Sequence, residues 1–525
     1  MSIDARDDEC SGRGGTTVTP DPTDQTETVR FLRDPATHGV DTPVEMITTH
    51  SAHVFLAGNW AFKIKRAVRY NYLDFSTLDD RRKVIAQEFA LNAPSAPAIY
   101  DRVVAITRDS SGRLALDGQG EPVEYALRMH RFRREDELTS IADAGKLTTD
   151  LADRLGQVIA GLHEAAERRP DDGALLIRDI IAELREAFAP MRSTLGEDRL
   201  AEYFRRTDRG FGAVAPLLSR RASEGRVRRC HGDLHLKNMV MIDGRPVPFD
   251  ALEFDERLGT CDTWYDLAFL VMDLLHRGLA GQANILQNSY LRTSRDFTGL
   301  AAQPLFLSIR AAIRSMVAVQ TLSGAVDDAI VREARSYLKQ AIDFLTPLPP
   351  RLVAVGGLSG SGKTAVSIRT APALGSAPGA VHLRSDLERK AMFGVEPLAR
   401  LPAEAYRAEA NRALYARLMD AAEQVLLAGH SVIVDATFLA AADRQAVAGL
   451  AGRLRVPFAG IWLYSDPATL ERRVSARTAD ASDADAAVLH AQLERGTGPV
   501  NWTRIDAGGA LDEVVRSVAA TLAQA

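Results

Sequence analysis

Residues 352–364 read LVAVGGLSGSGKT, and this stretch restricts the fold of the 525-residue chain more than any other. A short apolar run bounded by glycines is a buried strand, and the G-x-x-x-x-G-K-T spacing from Gly357 to Thr364 asks for a helix directly after it. The glycines let the backbone turn inward, so that loop N–H groups converge on phosphate oxygens at a helix N-terminus. Gly357, Ser359, Gly360, Ser361 and Gly362 form that cradle; Lys363 is placed to reach β- and γ-phosphates, and Thr364 to hold Mg²⁺. Further strand-like runs, AVHLRSD, SVIVDATF and FAGIWLYSD, alternate with helical stretches. Such alternation is the signature of a parallel α/β sheet.

Upstream the pattern differs. LTPLPPR, residues 345–351, interrupts the helical run before it, because Pro-Pro cannot continue a helix. Before that break come short strands (VEMITTH, HVFLAG, WAFKIKR), then a helix over STLDDRRKVIAQEFALN with Ser76 as N-cap and Asp79 three residues on. More strands follow at YDRVVAIT, LALD and EYALRMHRF, and helices dominate from about 140 to 344. Asp243-Gly244 sits between two strand-like pieces and reads as a hairpin turn. The expected organisation is a tail at 1–26, rich in Gly, Thr, Asp and Pro, an α+β domain at 27–344, a proline linker at 345–350 and an α/β domain at 351–525.

Composition excludes several function classes. Lys and Arg number 64 against 69 Asp and Glu, a net charge of −5, so no global charge draws the chain to nucleic acid or to an anionic membrane. Cys10, Cys230 and Cys261 lie far apart without a CxxC pair, against a disulfide framework or a cysteine-rich zinc site. The N-terminus has no apolar signal region, and the most apolar helical run, DLAFLVMDLLH, is charged and too short to span a bilayer. A cytoplasmic location is expected.

Asp435 ends the apolar strand SVIVDATF, the expected place for a second acid beside magnesium. In HLRSDLERK, Ser385 and Glu388 have capping-box spacing, which puts Asp386 in a first helical turn. A carboxylate at a strand end of a parallel sheet can also take a proton from a substrate hydroxyl, and Arg389 could grip an anion. Arg472, Arg473 and Arg477 lie on one helical stretch; Arg473 and Arg477 share a face and suit a transferring phosphoryl group as well as they suit solvent.

A second constellation lies at 231–238, HGDLHLKN. Asp233 can accept the proton of an attacking hydroxyl, Asn238 can coordinate Mg²⁺, and Asp250 after the next strand suits the main metal ligand. His231 and His235 have no third His or Cys nearby for zinc, and Cys230 reads as a packed residue. Arg205, Arg206, Arg209, Arg220, Arg221, Arg226, Arg228 and Arg229 precede this loop and would favour an anionic acceptor if they faced a cleft.

Residues 351 to about 510 resemble the small P-loop kinases: the gluconate and shikimate kinase type, the polynucleotide 5′-kinases and the zeta-toxin group. That resemblance implies that Asp386 orients or deprotonates the acceptor hydroxyl. H-G-D-x-x-x-x-N resembles the catalytic loop of the aminoglycoside phosphotransferases, which share the protein-kinase fold. It implies that a lysine of WAFKIKR, Lys63, pairs the nucleotide phosphates, that Glu88 pairs with that lysine, that the backbone near Met129 holds adenine, and that Asp266 braces the catalytic loop. Lys65 points the same way as Lys63 along a strand. The glycine-rich G-x-G-x-x-G loop of kinases is missing from TTHSAHVFLAGN. The implied fold is an α+β bilobal protein-kinase-like domain followed by an α/β P-loop NTPase domain with a parallel sheet. The implied activity is ATP- and Mg²⁺-dependent phosphorylation of a small-molecule hydroxyl acceptor by two nucleotide-binding modules. Rival readings are a regulatory N-terminal module beside an active P-loop half, and a nucleic-acid end kinase.

Overall fold

A computed structural model describes residues 24–49, 51–70, 73–253, 255–322, 327–346, 348–476 and 481–524. The chain divides into two compact units, residues 1–132 and 133–525. Most of the expected N-terminal tail, residues 1–23, lies outside the described residues. Order reaches further forward than residue 27, because the Gln25 side chain donates to Lys65 O at 2.8 Å and accepts from Ala67 N at 2.8 Å.

The first unit contains helix α1 (Thr26–Arg33), strands β1 (Glu45–Thr48), β2 (Ala52–Ala57) and β3 (Trp60–Lys65), helix α2 (Leu78–Asn92), and strands β4 (Tyr100–Arg108), β5 (Leu114–Leu116) and β6 (Glu121–His130). The strands form one antiparallel sheet in the order β1-β2-β3-β6-β4-β5. Phe55, Phe62, Ile64, Val104, Ile106 and Ala126 make its core. The α2 cap is Thr77 and not Ser76: Thr77 Oγ1 accepts from Asp80 N, while Ser76 turns back to donate to Asp74 at 2.6 Å. The expected box is therefore shifted by one residue, because the short Asp74–Ser76 turn captures the first hydroxyl.

After a short helix at Leu138–Asp143, the second unit contains helices α3 (Thr149–Ala165), α4 (Gly173–Phe188) and α5 (Glu197–Ser223), then strands β7 (Val227–Arg229), β8 (Met239–Ile242), β9 (Arg245–Pro248) and β10 (Thr260–Asp262). Strands β8 and β9 form the expected hairpin, with Asp243 and Gly244 at φ of 49° and 75°, the positive values a tight two-residue turn requires. Helices α6 (Thr263–His276), α7 (Ala280–Ser294), α8 (Gln303–Gln320) and α9 (Asp328–Phe344) follow. From Thr263 to Leu274 every residue of α6 is buried, which explains why DLAFLVMDLLH is apolar around most of its circumference.

After residue 351 the same unit holds β11 (Leu352–Gly356), α10 (Lys363–Thr370), β12 (Val381–Arg384), α11 (Ser385–Met392), α12 (Ala408–Leu427), β13 (Val432–Asp435), α13 (Ala441–Leu454), β14 (Phe458–Tyr464), α14 (Pro467–Ser475), α15 (Ala486–Arg495), β15 (Thr503–Asp506) and α16 (Leu511–Gln524). Five parallel strands run in the order β12-β13-β11-β14-β15. The central strand β11 is buried at all five positions, as a parallel strand covered on both faces must be. Among the described residues no helix is long and apolar enough to cross a membrane.

Candidate active sites

In the first unit, Lys63 and Lys65 project from one face of β3 toward Glu88 on α2. Lys63 Nζ meets Glu88 Oε1 at 2.7 Å, and Lys65 Nζ meets Oε2 at 2.7 Å. Both lysines thus share one carboxylate. Glu88 is fully buried and Lys65 nearly so, with Lys63 at 12% exposure. A desolvated carboxylate needs such pairing to remain charged. Met129 lies inside β6, in register with Ala61 on one side and Tyr100 on the other.

In the second unit, the loop after β7 carries His231, Asp233 and Asn238. Its backbone is gripped by Asp266 of α6, which accepts from His231 N at 3.2 Å and from Gly232 N at 2.8 Å. Asp266 in turn meets His163 Nε2 at 3.1 Å, and His163 Nδ1 meets Tyr290 Oη at 3.0 Å. Cys230 Sγ points to Cys261 O at 3.6 Å; the neighbouring Cys261 side chain and burial push its thiol well above the ordinary range, so it is a packed residue and no nucleophile.

Asn238 Nδ2 donates to Asp233 Oδ2 at 2.9 Å and to Asp233 O at 3.0 Å. Phe249 N donates to Asn238 O at 2.9 Å, which brings the next residue, Asp250, beside the same loop. Asp250 adopts φ 61°, a conformation that non-glycine residues hold only where the surroundings enforce it. Burial pushes the Asp233 carboxyl up, but the His235 hydrogen bond and charge, with His231 and Arg310, outweigh it and hold it well below the ordinary range. The imidazole of His231 is held below its usual value by burial, against the charges of Asp266, Asp233 and Asp250.

Most of the arginines before this loop are spent on ion pairs. Arg205 and Arg206 pair with Glu202, Arg226 with Asp296, Arg228 with Glu164 and Arg229 with Glu256. Arg221 is fully buried and donates to Asp262 at 2.7 Å and to Asp296 at 2.7 Å. Removing one partner of such a buried set costs about 3–5 kcal/mol. Arg221 thereby holds α5 to β10, while the exposed Arg205 pairs within α5 itself, so these ion pairs give no sign that the run lines an acceptor cleft.

The loop 357–362 links β11 to α10, with Gly357, Gly360 and Gly362 at φ 143°, 83° and 85°. A Cβ at Gly360 would stand 2.6 Å from Leu470 O, so α14 packs directly on the cradle. Thr364 Oγ1 donates to Asp435 Oδ2 at 2.6 Å, and His382 Nε2 approaches the same oxygen at 3.3 Å. Lys363 Nζ reaches Leu358 O at 3.0 Å. Gln492 of α15, which no sequence motif singled out, accepts from Ser359 N at 2.9 Å and donates to Ser359 Oγ at 3.0 Å.

Asp386 is in the first turn of α11. The expected capping box is absent: α11 has no side-chain cap, and Glu388 instead accepts from Arg295 and Arg417, each at 2.6 Å. Charge attraction across the fold outcompetes a local amide. Burial raises the Asp386 carboxyl above the ordinary range and the Asp435 charge adds to that, against Lys363, Arg384 and a hydrogen bond to Ser482. Arg389 is buried, with its guanidinium over the Tyr406 ring at 5.0 Å. Arg473 of α14 is half-buried and lies 3.5 Å from Gly508 O; Arg477 lies outside the described residues.

Residues 83–302 match the model of the phosphotransferase enzyme family, and residues 352–499 match that of an AAA domain. An uncharacterized protein of Mycobacterium tuberculosis is 28% identical over 475 residues, covering 89% of this chain and 93% of its own. A gluconokinase from Sinorhizobium meliloti 1021 covers 33% of this chain and 93% of its own, at 24% identity and TM-score 0.25. A choline/ethanolamine kinase family protein from Mesorhizobium loti covers 61% and 97%, at 13% identity and TM-score 0.35. The chain is a phosphotransferase whose residues 83–302 match the phosphotransferase enzyme family and whose residues 352–499 match an AAA domain.

Proposed function

We propose that both domains transfer the γ-phosphoryl group of ATP to hydroxyl groups of small molecules. The observation that carries this reading is that each site sets a candidate magnesium ligand against a carboxylate: Asn238 with Asp233 at 2.9 Å, and Thr364 with Asp435 at 2.6 Å. Hard oxygen donors of this kind fit Mg²⁺. Asn238 and Asp250 would hold it in the first domain, Thr364 and Asp435 in the second. When bound, the ion supplies charge neutralisation on the phosphate oxygens.

In the first domain Lys63, fixed by Glu88, pairs with nucleotide phosphates. Asp233 accepts the proton of the attacking hydroxyl, and its lowered proton affinity keeps it ionised for that task. The acceptor enters a cavity of about 290 Å³ lined by His235, Lys237, Arg277, Arg314 and Tyr337, a volume suited to a small molecule. In the second domain the amide cradle and Lys363 grip the phosphates, Asp386 takes the acceptor proton, and Arg473 and Arg477 meet the transferring group.

Asp233→Asn and Lys363→Ala variants, assayed separately for ATP hydrolysis and acceptor phosphorylation across a metabolite collection, test this. Each is expected to remove one acceptor's phosphorylation by roughly 10²–10⁴-fold and to leave the other's intact. Loss of all transfer in Lys363→Ala with no change in Asp233→Asn would instead make the first domain regulatory.

A further inference from the structure

In the P-loop sheet, β12 (Val381–Arg384) pairs with β13 on one side only. Its other side offers an unpaired row of backbone groups, which in a parallel sheet needs a cover. That cover comes from α7 (Ala280–Ser294), a helix of the phosphotransferase-family domain. Asn284 and Asn288 are one turn apart and share a face. Asn284 Nδ2 donates to Ala380 O at 3.0 Å, Asn288 Oδ1 accepts from His382 N at 2.7 Å, and Asn288 Nδ2 donates back to Asn284 Oδ1 at 3.0 Å. Two side-chain amides thus stand in for a neighbouring strand, using the donor and acceptor that a carboxamide shares with the peptide group.

The residue whose N–H is taken by Asn288 is the one whose ring faces the nucleotide site. His382 Nε2 lies 3.3 Å from Asp435 Oδ2, the oxygen that accepts from Thr364. The same interface reaches the acceptor helix. Arg295, just past the end of α7, donates to Glu388 at 2.6 Å, and Glu388 is two residues from Asp386. His430, two residues before β13, meets Leu300 O through Nε2 at 2.9 Å.

We propose that Asn288, carried by the phosphotransferase-family domain, is a positioning residue of the P-loop site. Its amide sets the place of β12, and through the His382 ring it orients Asp435 toward Thr364. The P-loop site is therefore completed by a residue of the other domain. Outer groups that aim metal ligands are worth roughly 10–100-fold in metal affinity, whereas the amide cradle and Lys363 bind phosphate without them. This inference rests on the assignment of Thr364 and Asp435 to Mg²⁺.

The test uses the full chain carrying Asp250→Asn, which removes the proposed metal ligand of the first domain, and a fluorescent ADP analogue titrated with and without Mg²⁺. Asn288→Ala is expected to raise the Mg²⁺ concentration for half-maximal tightening roughly tenfold, with the Mg²⁺-free affinity unchanged. Thr364→Ala, run in parallel, should abolish the tightening altogether. If Thr364→Ala leaves it intact, the magnesium assignment itself is wrong. If Thr364→Ala abolishes it but Asn288→Ala matches its parent, the positioning role is overturned. An Asn288→Ala variant that loses Mg²⁺-free and Mg²⁺-dependent binding equally overturns it as well, since general loosening would do that.

Discussion

The surroundings of Asp233 and Asp386, the two proposed proton acceptors, push them in opposite directions. Burial acts upward on both. At Asp233 the His235 hydrogen bond and nearby positive charge win, while at Asp386 the charge of Asp435 reinforces burial. The folded state holds the Asp386 proton more tightly than the unfolded chain does. Its stabilising contribution is complete below the ordinary carboxylate value of 3.8 and is lost as pH rises through the raised folded value. The ionised form of Asp386 therefore costs stability relative to the protonated form. Asp386→Asn should raise Tm at pH 7 while P-loop acceptor phosphorylation falls roughly 10²–10⁴-fold. At Asp233 the sign reverses: stability is present above 3.8 and lost as pH falls through the depressed value, so Asp233→Asn should lower Tm. Thermal melts of the two variants at pH 7 check this, and a lower Tm for Asp386→Asn would contradict the raised proton affinity of Asp386. The residue types and spacing of both sites were legible in the sequence. Their opposite electrostatics were not, because His235, Arg310 and Lys363 act through space.

At the scale of elements, local patterns succeeded where a single strand, turn or helix decides its own form. The strand β11, the loop after it and the β8–β9 hairpin match their sequence signals. Caps fared worse. Ser76 lost its place to Thr77, and Ser385 gained no partner because Glu388 binds Arg295 and Arg417. The packing of α14 on the cradle was equally hidden. Gly360 holds φ 83°, and a Cβ there would stand 3.0 Å from Val474 Cγ2 as well as against Leu470 O. Gly360→Ala adds backbone strain of roughly 1–3 kcal/mol and forces α14 outward. Nucleotide affinity of the P-loop site should weaken about tenfold or more, a loss near 1.4 kcal/mol. Calorimetric titration of the variant reads it directly, and an unchanged Kd would mean that the loop tolerates the side chain.

At the scale of the whole chain, the proline stretch at 345–351 reads as a boundary, yet residues 133–525 form one compact unit across it. Asn284, Asn288, Arg295 and Leu300 all bond to groups beyond residue 379. Excising residues 351–525 would strip the cover from β12 and expose its edge. An open edge strand recruits another strand, so the excised piece should self-associate, seen as concentration-dependent elution in size-exclusion chromatography. A monomeric, stable fragment would show that the edge needs no partner.

Sequence alone determined the chemistry and the grammar of each domain: the G-x-x-x-x-G-K-T loop, the H-G-D-x-x-x-x-N loop, and the strand–helix alternation after residue 351. These are properties of neighbouring residues, set by backbone geometry over one or two turns of chain. Tertiary structure alone decided that Glu88 serves two lysines, that Arg221, Arg228 and Arg229 are buried in ion pairs, and that a helix of one domain covers the sheet of the other. The His382–Asn288 bond spans 94 residues. Contacts of that reach follow no period in the sequence, because their partners meet only after the chain has folded.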